Sequence, residues 1–403
     1  MTNPPDRLLD VTHPPRTIAE LRTALRAAGS PLRRSIGQHF LIERSLRDAL
    51  LEDAAVAAGE SVLEVGVGVG VLSEGLLAKG ARVFAVEVDR RMIEISRQAL
   101  APSLVEVVVP AGRVRSSEKD AGRLGASQSS GRSSAGTLAG ESSDGPDSSV
   151  AAIEEWLSAL ESGQLLLLQA DALRRKALHP LVETGLGVLR RRADAPLRLV
   201  ANLPYQIASP LLISLLEWRS PEGLGGIDGF AALVQREVAE RMIAEPGSGG
   251  YGTLSVLIQA HADVSIGRVL KPSVFYPPPK VDSAFVVGRV RSASARPFGL
   301  DLAGYDRWKR LVGGIFQYRR KHIRRGLSHV LGAVAAGDAK PRREGRSAEA
   351  GADSEPGTTA ARIDAALAAA KIDPIRRGET LSGEEFRALA EALAPDLADR
   401  NGQ

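Results

Sequence analysis

Short apolar runs alternate with amphipathic stretches along most of this chain. SVLEVG (61–66), RVFAVEVD (82–89), QLLLLQAD (164–171), LRLVANLP (197–204), GFAALVQRE (229–237) and SAFVVGRV (283–290) read as buried strands. VLSEGLLAKG (71–80) and RRMIEISRQAL (90–100) read as helices, the first closed by Gly80. Strands alternating with helices predict an α/β fold with an open, mostly parallel sheet covered on both faces. Upstream, TIAELRTALRAAG (17–29) reads as a short helix led by Thr17. RSIGQHFLIERSLRDALLEDAAV (34–56) reads as a basic loop running into a helix.

Two stretches break this rhythm. Residues 111–150 hold 11 Ser and 7 Gly and no aromatic residue. Such a segment buries too little apolar surface to offset the entropy of ordering it. It predicts a disordered insertion over about 111–155. Residues 335–360 are similarly biased and predict a flexible insertion. Residues 1–30 read as an N-terminal extension.

Composition narrows the chemistry. The chain has no cysteine, which excludes a disulfide scaffold, a zinc ribbon, an iron–sulfur cluster and a cysteine nucleophile. No apolar run approaches the ~20 residues that span a bilayer. The N-terminus, MTNPPDRLLDVTHPP, lacks the basic start and apolar core of a signal peptide, so the expected location is the cytoplasm. The net charge of +4 is uninformative as an average. Residues 289–325, however, carry eleven Lys and Arg against two acids. Clustered positive charge is the footprint of phosphate binding. FQYRRKHIRRGL (316–327) has a helical pattern that groups Arg319, Arg320, Lys321, Arg324 and Arg325 as candidate RNA-binding residues.

Strand SVLEV runs into Gly66-Val67-Gly68-Val69-Gly70 and then a helix. Glycines there let the backbone turn tightly and approach a ligand. A dinucleotide fingerprint would need glycine at 71, where Val71 stands. The GxGxG spacing, with Gly66 and Gly68 as candidate contacts, is instead the pattern of S-adenosylmethionine enzymes. That ligand has no pyrophosphate to cradle. Glu87, 21 residues after Gly66, ends the next strand and can accept hydrogen bonds from ribose hydroxyls. Asp171, ending QLLLLQAD, can accept from an adenine amino group. All three features sit at the carboxyl ends of expected strands and converge on one crevice.

A further strand ends in Asn202-Leu203-Pro204-Tyr205. Pro204 biases Leu203 to an extended conformation. The turn can present the Asn202 amide oxygen and the Leu203 or Pro204 carbonyl to a planar exocyclic amine, with Tyr205 stacking on the base. These four residues are the candidate catalytic set, and Phe275 or Tyr276 is the candidate second stacking face.

With these residues in place the chain resembles the ribosomal RNA adenine N6-dimethyltransferases, in particular the bacterial enzymes of small-subunit (16S) RNA. The likeness runs through GQHFL (37–41), VLEVGVGVG (62–70), VEVD (86–89), QADAL (169–173), NLPY (202–205), VQREVAERMIAEPGSGGYGTLSV (234–256) and FYPPPKVDSA (275–284). It is weaker in FQYRRKHIRRGL and in KIDPIRRGETLS (371–382). The resemblance implies a Rossmann-like methyltransferase domain over 31–292 and a small helical RNA-binding domain over 293–403. It implies cofactor contacts at His39, Leu41, Gly66, Glu87, Asp171 and Asn202. It also implies an S-adenosylmethionine-dependent enzyme without metal that dimethylates two adjacent adenosines near the 3′ end of 16S RNA. The implied partner is the immature small subunit, and the chain is expected to be a monomer with no membrane association. The chain departs from the family pattern at His39, often asparagine, and at Val67, usually proline. A large-subunit adenine methylase of the macrolide-resistance type and a non-catalytic assembly or transcription factor on the same fold are the alternatives. An NAD-dependent oxidoreductase is disfavoured by Val71 and NLPY.

Overall fold

The computed structural model describes residues 12–29, 38–109, 146–192, 195–220, 223–292, 297–335 and 356–397. Its centre is an eight-stranded sheet formed by β1 (Ser61–Val65), β2 (Arg82–Glu87), β3 (Leu104–Val108), β4 (Leu165–Gln169), β5 (Leu197–Asn202), β6 (Gly229–Gln235), β7 (Ala262–Leu270) and β8 (Ser283–Val290). The spatial order is β7-β8-β6-β5-β1-β2-β4-β3. Strands β3, β4, β2, β1, β5 and β6 run parallel, while β8 and β7 are antiparallel additions.

The unbroken apolar runs of the sequence follow from burial on both faces of this sheet. Leu63, Phe84, Leu166, Leu199 and Ala201 point into one core. Their chain neighbours Val62, Val83, Leu165, Leu167 and Val200 point into the other. The chain moves outward in one direction from β1 to β2 and in the other from β5 to β6. The carboxyl ends of β1 and β5 therefore flank a topological switch point, where open α/β sheets bind ligands.

Helix α1 (Ile18–Ala27) is capped by Thr17, whose hydroxyl accepts from the Glu20 amide at 3.1 Å. It is no loose extension. Leu21, Ala24 and Leu25 pack with Phe40, Ile42, Val69, Val71, Met92 and Ile95. These contacts hold the helix beside the glycine loop. Helices α2 (Arg44–Asp53), α3 (Val71–Ala78) and α4 (Arg90–Ala99) follow.

The expected insertion ends earlier than its composition suggests. Residues 110–145 lie outside the described residues, but α5 (Pro146–Ala159) covers most of the last part of the stretch. Ile153 and Leu157 recur at helical spacing and are fully buried in the first core. Most of 335–360 also lies outside the described residues. Its end enters a helix, Pro356–Ala369.

Helices α6 (Pro180–Arg191), α7 (Ala208–Leu216), α8 (Arg236–Met242) and α9 (Thr253–His261) complete the layers around the sheet. Beyond β8, α10 (Leu302–Gln317), α11 (Ile323–Ala335), α12 (Pro356–Ala369) and α13 (Gly383–Ala392) enclose a separate apolar cluster. Trp308, Leu327, Leu367 and Phe386 form its middle, and Val256 and Leu257 of α9 supply its floor. The Tyr305 hydroxyl donates to Glu217 at 2.6 Å and lies 3.0 Å from the buried His261. Tyr251 donates to the Leu381 carbonyl at 2.8 Å. These bonds fasten the helical unit to the ends of α7 and α9, which cover the sheet.

FQYRRKHIRRGL is not one helix. It breaks between Gln317 and Ile323, where Tyr318 stacks on His329 at 4.4 Å and the Ile323 amide turns to the Arg376 carbonyl at 2.7 Å. A tertiary contact wins there over local helical pattern. Among the described residues, no helix is long and apolar enough to cross a membrane.

Candidate active site

A cleft of about 290 Å3 opens at the carboxyl ends of β1, β2, β4 and β5. Its walls contain His39, Leu41, Gly66, Gly68, Glu87, Asp171, Asn202, Leu203, Pro204 and Tyr205. All the candidate cofactor and catalytic residues of the sequence thus meet in one cavity.

The glycine loop leaves β1 with Gly66 at φ +83°, Gly68 at +59° and Gly70 at +85°. L-residues rarely adopt this left-handed region. A Cβ on Gly68 would also lie 3.0 Å from the Phe40 ring, and one on Gly66 3.2 Å from the Pro204 ring. The loop is therefore pressed against both the ribbon below it and the NLPY turn beside it. Phe40 and Leu41 pair antiparallel with Tyr276 and Phe275, which brings the GQHFL and FYPPP segments together.

Glu87 is nearly buried and serves the loop directly. One carboxylate oxygen accepts from the Gly68 amide at 2.9 Å, and the other from Val88 and Asp89 at 2.9 and 2.8 Å. Burial pushes its pKa up, and the three amides oppose that rise. Three of about four lone-pair sites are filled, so the oxygen facing Gly68 keeps acceptor capacity. Asp171 is exposed at the other side of the cleft, where it accepts from the Leu173 amide at 3.1 Å.

The Asn202 side chain donates through Nδ2 to the His39 carbonyl at 2.9 Å. A carbonyl only accepts, so this bond fixes the amide nitrogen on that side and leaves Oδ1 as the free acceptor. Among the NLPY carbonyls, Pro204 is bound by the Ile207 amide at 3.0 Å, which closes the turn into α7. No such bond among the described residues engages the Leu203 carbonyl. Tyr205 donates to or accepts from the Ser283 hydroxyl at 2.6 Å, and burial raises its pKa. Its ring lies 5.4 Å from that of His39 at 30°. His39 donates from Nδ1 to the Pro277 carbonyl at 2.7 Å, so it holds the segment that carries Tyr276.

Phe275 does not fill its expected place. It is 4% exposed and packs with Leu41, Val67, Leu233 and Phe285 in the second core. A core ring offers no open face to a base. Tyr276 is half-buried, with its hydroxyl accepting from Arg22 of α1 at 2.8 Å.

The basic candidates divide into two sets. Arg319 is paired with Glu379 at 2.8 Å and Arg324 with Asp364 at 2.6 Å. Arg320, Lys321 and Arg325 are exposed and enter no ion pair among the described residues. The helix break between them means that they do not share a single helical face.

Gln38, Arg47 and Glu64 are among the cleft residues not singled out from the sequence. Gln38 donates to Asp89 at 3.3 Å. Arg47, almost buried, is paired with Glu74 and Asp48, each at 2.6 Å. Glu64 is fully buried beneath the glycine loop and accepts from Ser73 at 2.6 Å. Burial, with a smaller push from Glu87, raises its pKa to about 8. Gln38 and Glu64 fall inside GQHFL and VLEVG, so the segments were visible although the side chains were not.

A glycine-lined cleft at the switch point, with an acidic strand end beside it, defines a Rossmann-like methyltransferase fold. Comparison with known proteins agrees. A dimethyladenosine transferase from Plasmodium falciparum superposes with a TM-score of 0.56 at 20% identity, covering 89% of this chain and 98% of that one. A family model of ribosomal RNA adenine dimethylases matches residues 29–109 and 151–340. Ribosomal RNA small subunit methyltransferase A of Anaeromyxobacter sp. (strain K) is 35% identical over 90% of this chain and 93% of its own length. The protein of the same name from Pelotomaculum thermopropionicum is 31% identical over 93% and 96%. The chain belongs to the ribosomal RNA adenine dimethylase family.

Proposed function

We propose that this chain dimethylates N6 of two adjacent adenosines in a 3′-terminal hairpin of 16S RNA, using S-adenosylmethionine. It does so as a cytoplasmic monomer acting on the immature small subunit. The observation that carries this reading is the Asn202 amide in the cleft wall, anchored through its nitrogen to the His39 carbonyl so that Oδ1 is left to accept, with Leu203 beside it in the same wall. Two acceptors at that spot match the two N–H groups of an exocyclic amine. The small-subunit names of the relatives support the choice of RNA.

The cleft suits the proposed methyl donor. The glycine loop packs on Phe40 too closely to carry a side chain at Gly68, where a Cβ would lie 3.0 Å from that ring, and so keeps bare backbone along the cleft. Glu87 keeps acceptor capacity for ribose hydroxyls, and Asp171 is free on its cleft side for an adenine amine. His39 and Leu41 line the cleft beside the loop. S-adenosylmethionine supplies, when bound, a methyl carbon made electrophilic by its sulfonium.

The protein's task is then positioning and electrostatic stabilisation. The N6 lone pair is delocalised into the adenine ring. Accepting its N–H bonds at Asn202 Oδ1 and the Leu203 carbonyl favours a pyramidal nitrogen with the lone pair exposed. The Pro204 carbonyl already accepts from the Ile207 amide in the turn, which favours the Leu203 carbonyl as the second acceptor. Tyr205, held by Ser283, stacks on the extruded base, a contact worth about 1–3 kcal/mol. After one methylation a single N–H remains, and one acceptor suffices to seat it. The proton leaves the acidic methylated ammonium without a dedicated base.

The test is labelling of immature small subunits with radiolabelled S-adenosylmethionine, followed by mapping of the product. Dimethyladenosine at two adjacent 16S positions is expected. Label in large-subunit RNA, or no label, overturns the reading.

A further inference from the structure

Asp171 is followed at once by a hairpin that none of the proposed chemistry uses. Leu173–Arg174 pairs antiparallel with Ala177–Leu178 across a two-residue turn. Its root lies on the cleft wall. Ala172 lines the cleft, and its carbonyl accepts from the His179 amide at 2.9 Å. Its tip leans on α7, the helix that follows NLPY, where the Ser214 hydroxyl donates to the Lys176 carbonyl at 3.4 Å. The hairpin thus springs from the cleft wall at Asp171 and Ala172 and reaches the last turn of α7, the helix that follows NLPY.

The composition of the turn is unusual. Arg175 and Lys176 have φ of +52° and +71°. Two successive left-handed residues make the tight hairpin turn that favours Asn-Gly. Long cationic side chains at both positions work against the backbone, and strain of this kind gathers at functional sites. Arg174, Arg175 and Lys176 are exposed, and none enters an ion pair among the described residues. Arg319 and Arg324, by contrast, are neutralised by carboxylates.

We propose that this hairpin is an RNA clamp on the rim of the cleft, with Arg174, Arg175 and Lys176 binding phosphates that flank the adenosine drawn into the site. The inference rests on the RNA-modifying reading above. An adenosine must leave its stack to reach Asn202, which brings its own phosphates to the rim. Unpaired cations on a stiff hairpin there meet those phosphates without further rearrangement. The basic helical unit then contacts RNA further from the target base.

The test replaces charge without removing the turn. In the double variant Arg175→Asn with Lys176→Gly, the sequence suits the backbone better than the native one. The probe is the unmethylated small subunit, with binding measured over a range of KCl concentrations. Each lost phosphate contact lowers the slope of log K against log salt by about 0.7–0.9, so the pair should lower it by about 1.5. The KM for the subunit should rise about tenfold, by the same loss of counterion release. Exchanging the charges, Arg175→Lys with Lys176→Arg, should keep the wild-type slope. A double variant with a higher Tm and an unchanged slope and KM overturns the proposal and leaves the hairpin structural. The slope requires no turnover. If the wild type binds the subunit but leaves its RNA unlabelled, the proposed function fails while the clamp is still judged by the slope.

Discussion

The cleft and the basic helical unit handle polar groups in opposite ways. In the cleft, several of the important side chains are tied to backbone. Glu87 is held by three amides, Asn202 by the His39 carbonyl and His39 by the Pro277 carbonyl. In the helical unit, cations sit on exposed surface, and several are occupied by acids from elsewhere in the chain. Lys309 is paired with Glu217, Arg319 with Glu379 and Arg324 with Asp364. The lesson concerns how charge and chemistry are counted. A cleft side chain is defined by which of its atoms is already used. A cation on the surface is defined by whether an acid has reached it first.

The sharpest way to break this contrast is at Asn202. Asn202→Ala removes the aimed acceptor, and a loss of about 10²–10³ or more in single-turnover rate is expected. Cofactor affinity, measured by calorimetry, should stay within a few-fold. A rate near wild type would end the Asn202 role.

Glu64 tests what the cleft does with a buried carboxyl. Its folded pKa of about 8 lies above the ordinary value of 4.5. The folded state therefore holds this proton more tightly than the unfolded chain does. Its contribution to stability is intact below about pH 4.5 and is lost progressively as pH rises towards 8. Glu64→Gln should raise Tm little at pH 5 and by several degrees at pH 8, the difference being on the order of a few kcal/mol. A Tm difference that does not vary with pH would show that Glu64 is not protonated in the fold.

Gly68→Ala asks how tightly the loop is set. The methyl group would sit at φ +59° and 3.0 Å from Phe40. A weakening of cofactor binding by about tenfold or more is expected, from the 1–3 kcal/mol that such strain costs. Wild-type affinity would mean that the loop relaxes freely.

The smallest effects belong to the helical unit. Replacing Arg320, Lys321 and Arg325 with alanine should flatten the salt dependence of RNA binding by about 2 in slope. Arg324→Ala alone should change it less than Arg325→Ala alone, because Asp364 already engages Arg324. Equal slopes for the two single variants would remove the distinction between paired and unpaired cations.

Much of this protein was legible in its sequence. The parallel sheet was visible because strands buried on both faces must be apolar at every position, as β1 and β4 are. The cleft was visible because glycines and strand-end carboxylates mark the carboxyl edge of such a sheet. Their register did not have to be known. Sequence patterning also identified α1 and its Thr17 cap, which depend on neighbours three residues apart.

Only the tertiary structure decided the rest. It turned Phe275 into a core ring by pairing its strand with Leu41, far away in the chain. It broke the basic helix at Tyr318 and assigned acids to two of the five cations. It engaged the Pro204 carbonyl in the turn into α7 through the Ile207 amide. It buried Glu64 beneath a loop that the sequence places beside it. In each case the outcome depends on which partner atom arrives from a distant segment. Periodicity and composition carry no record of that, because hydrogen bonds and packing are settled by position in space and not by order along the chain.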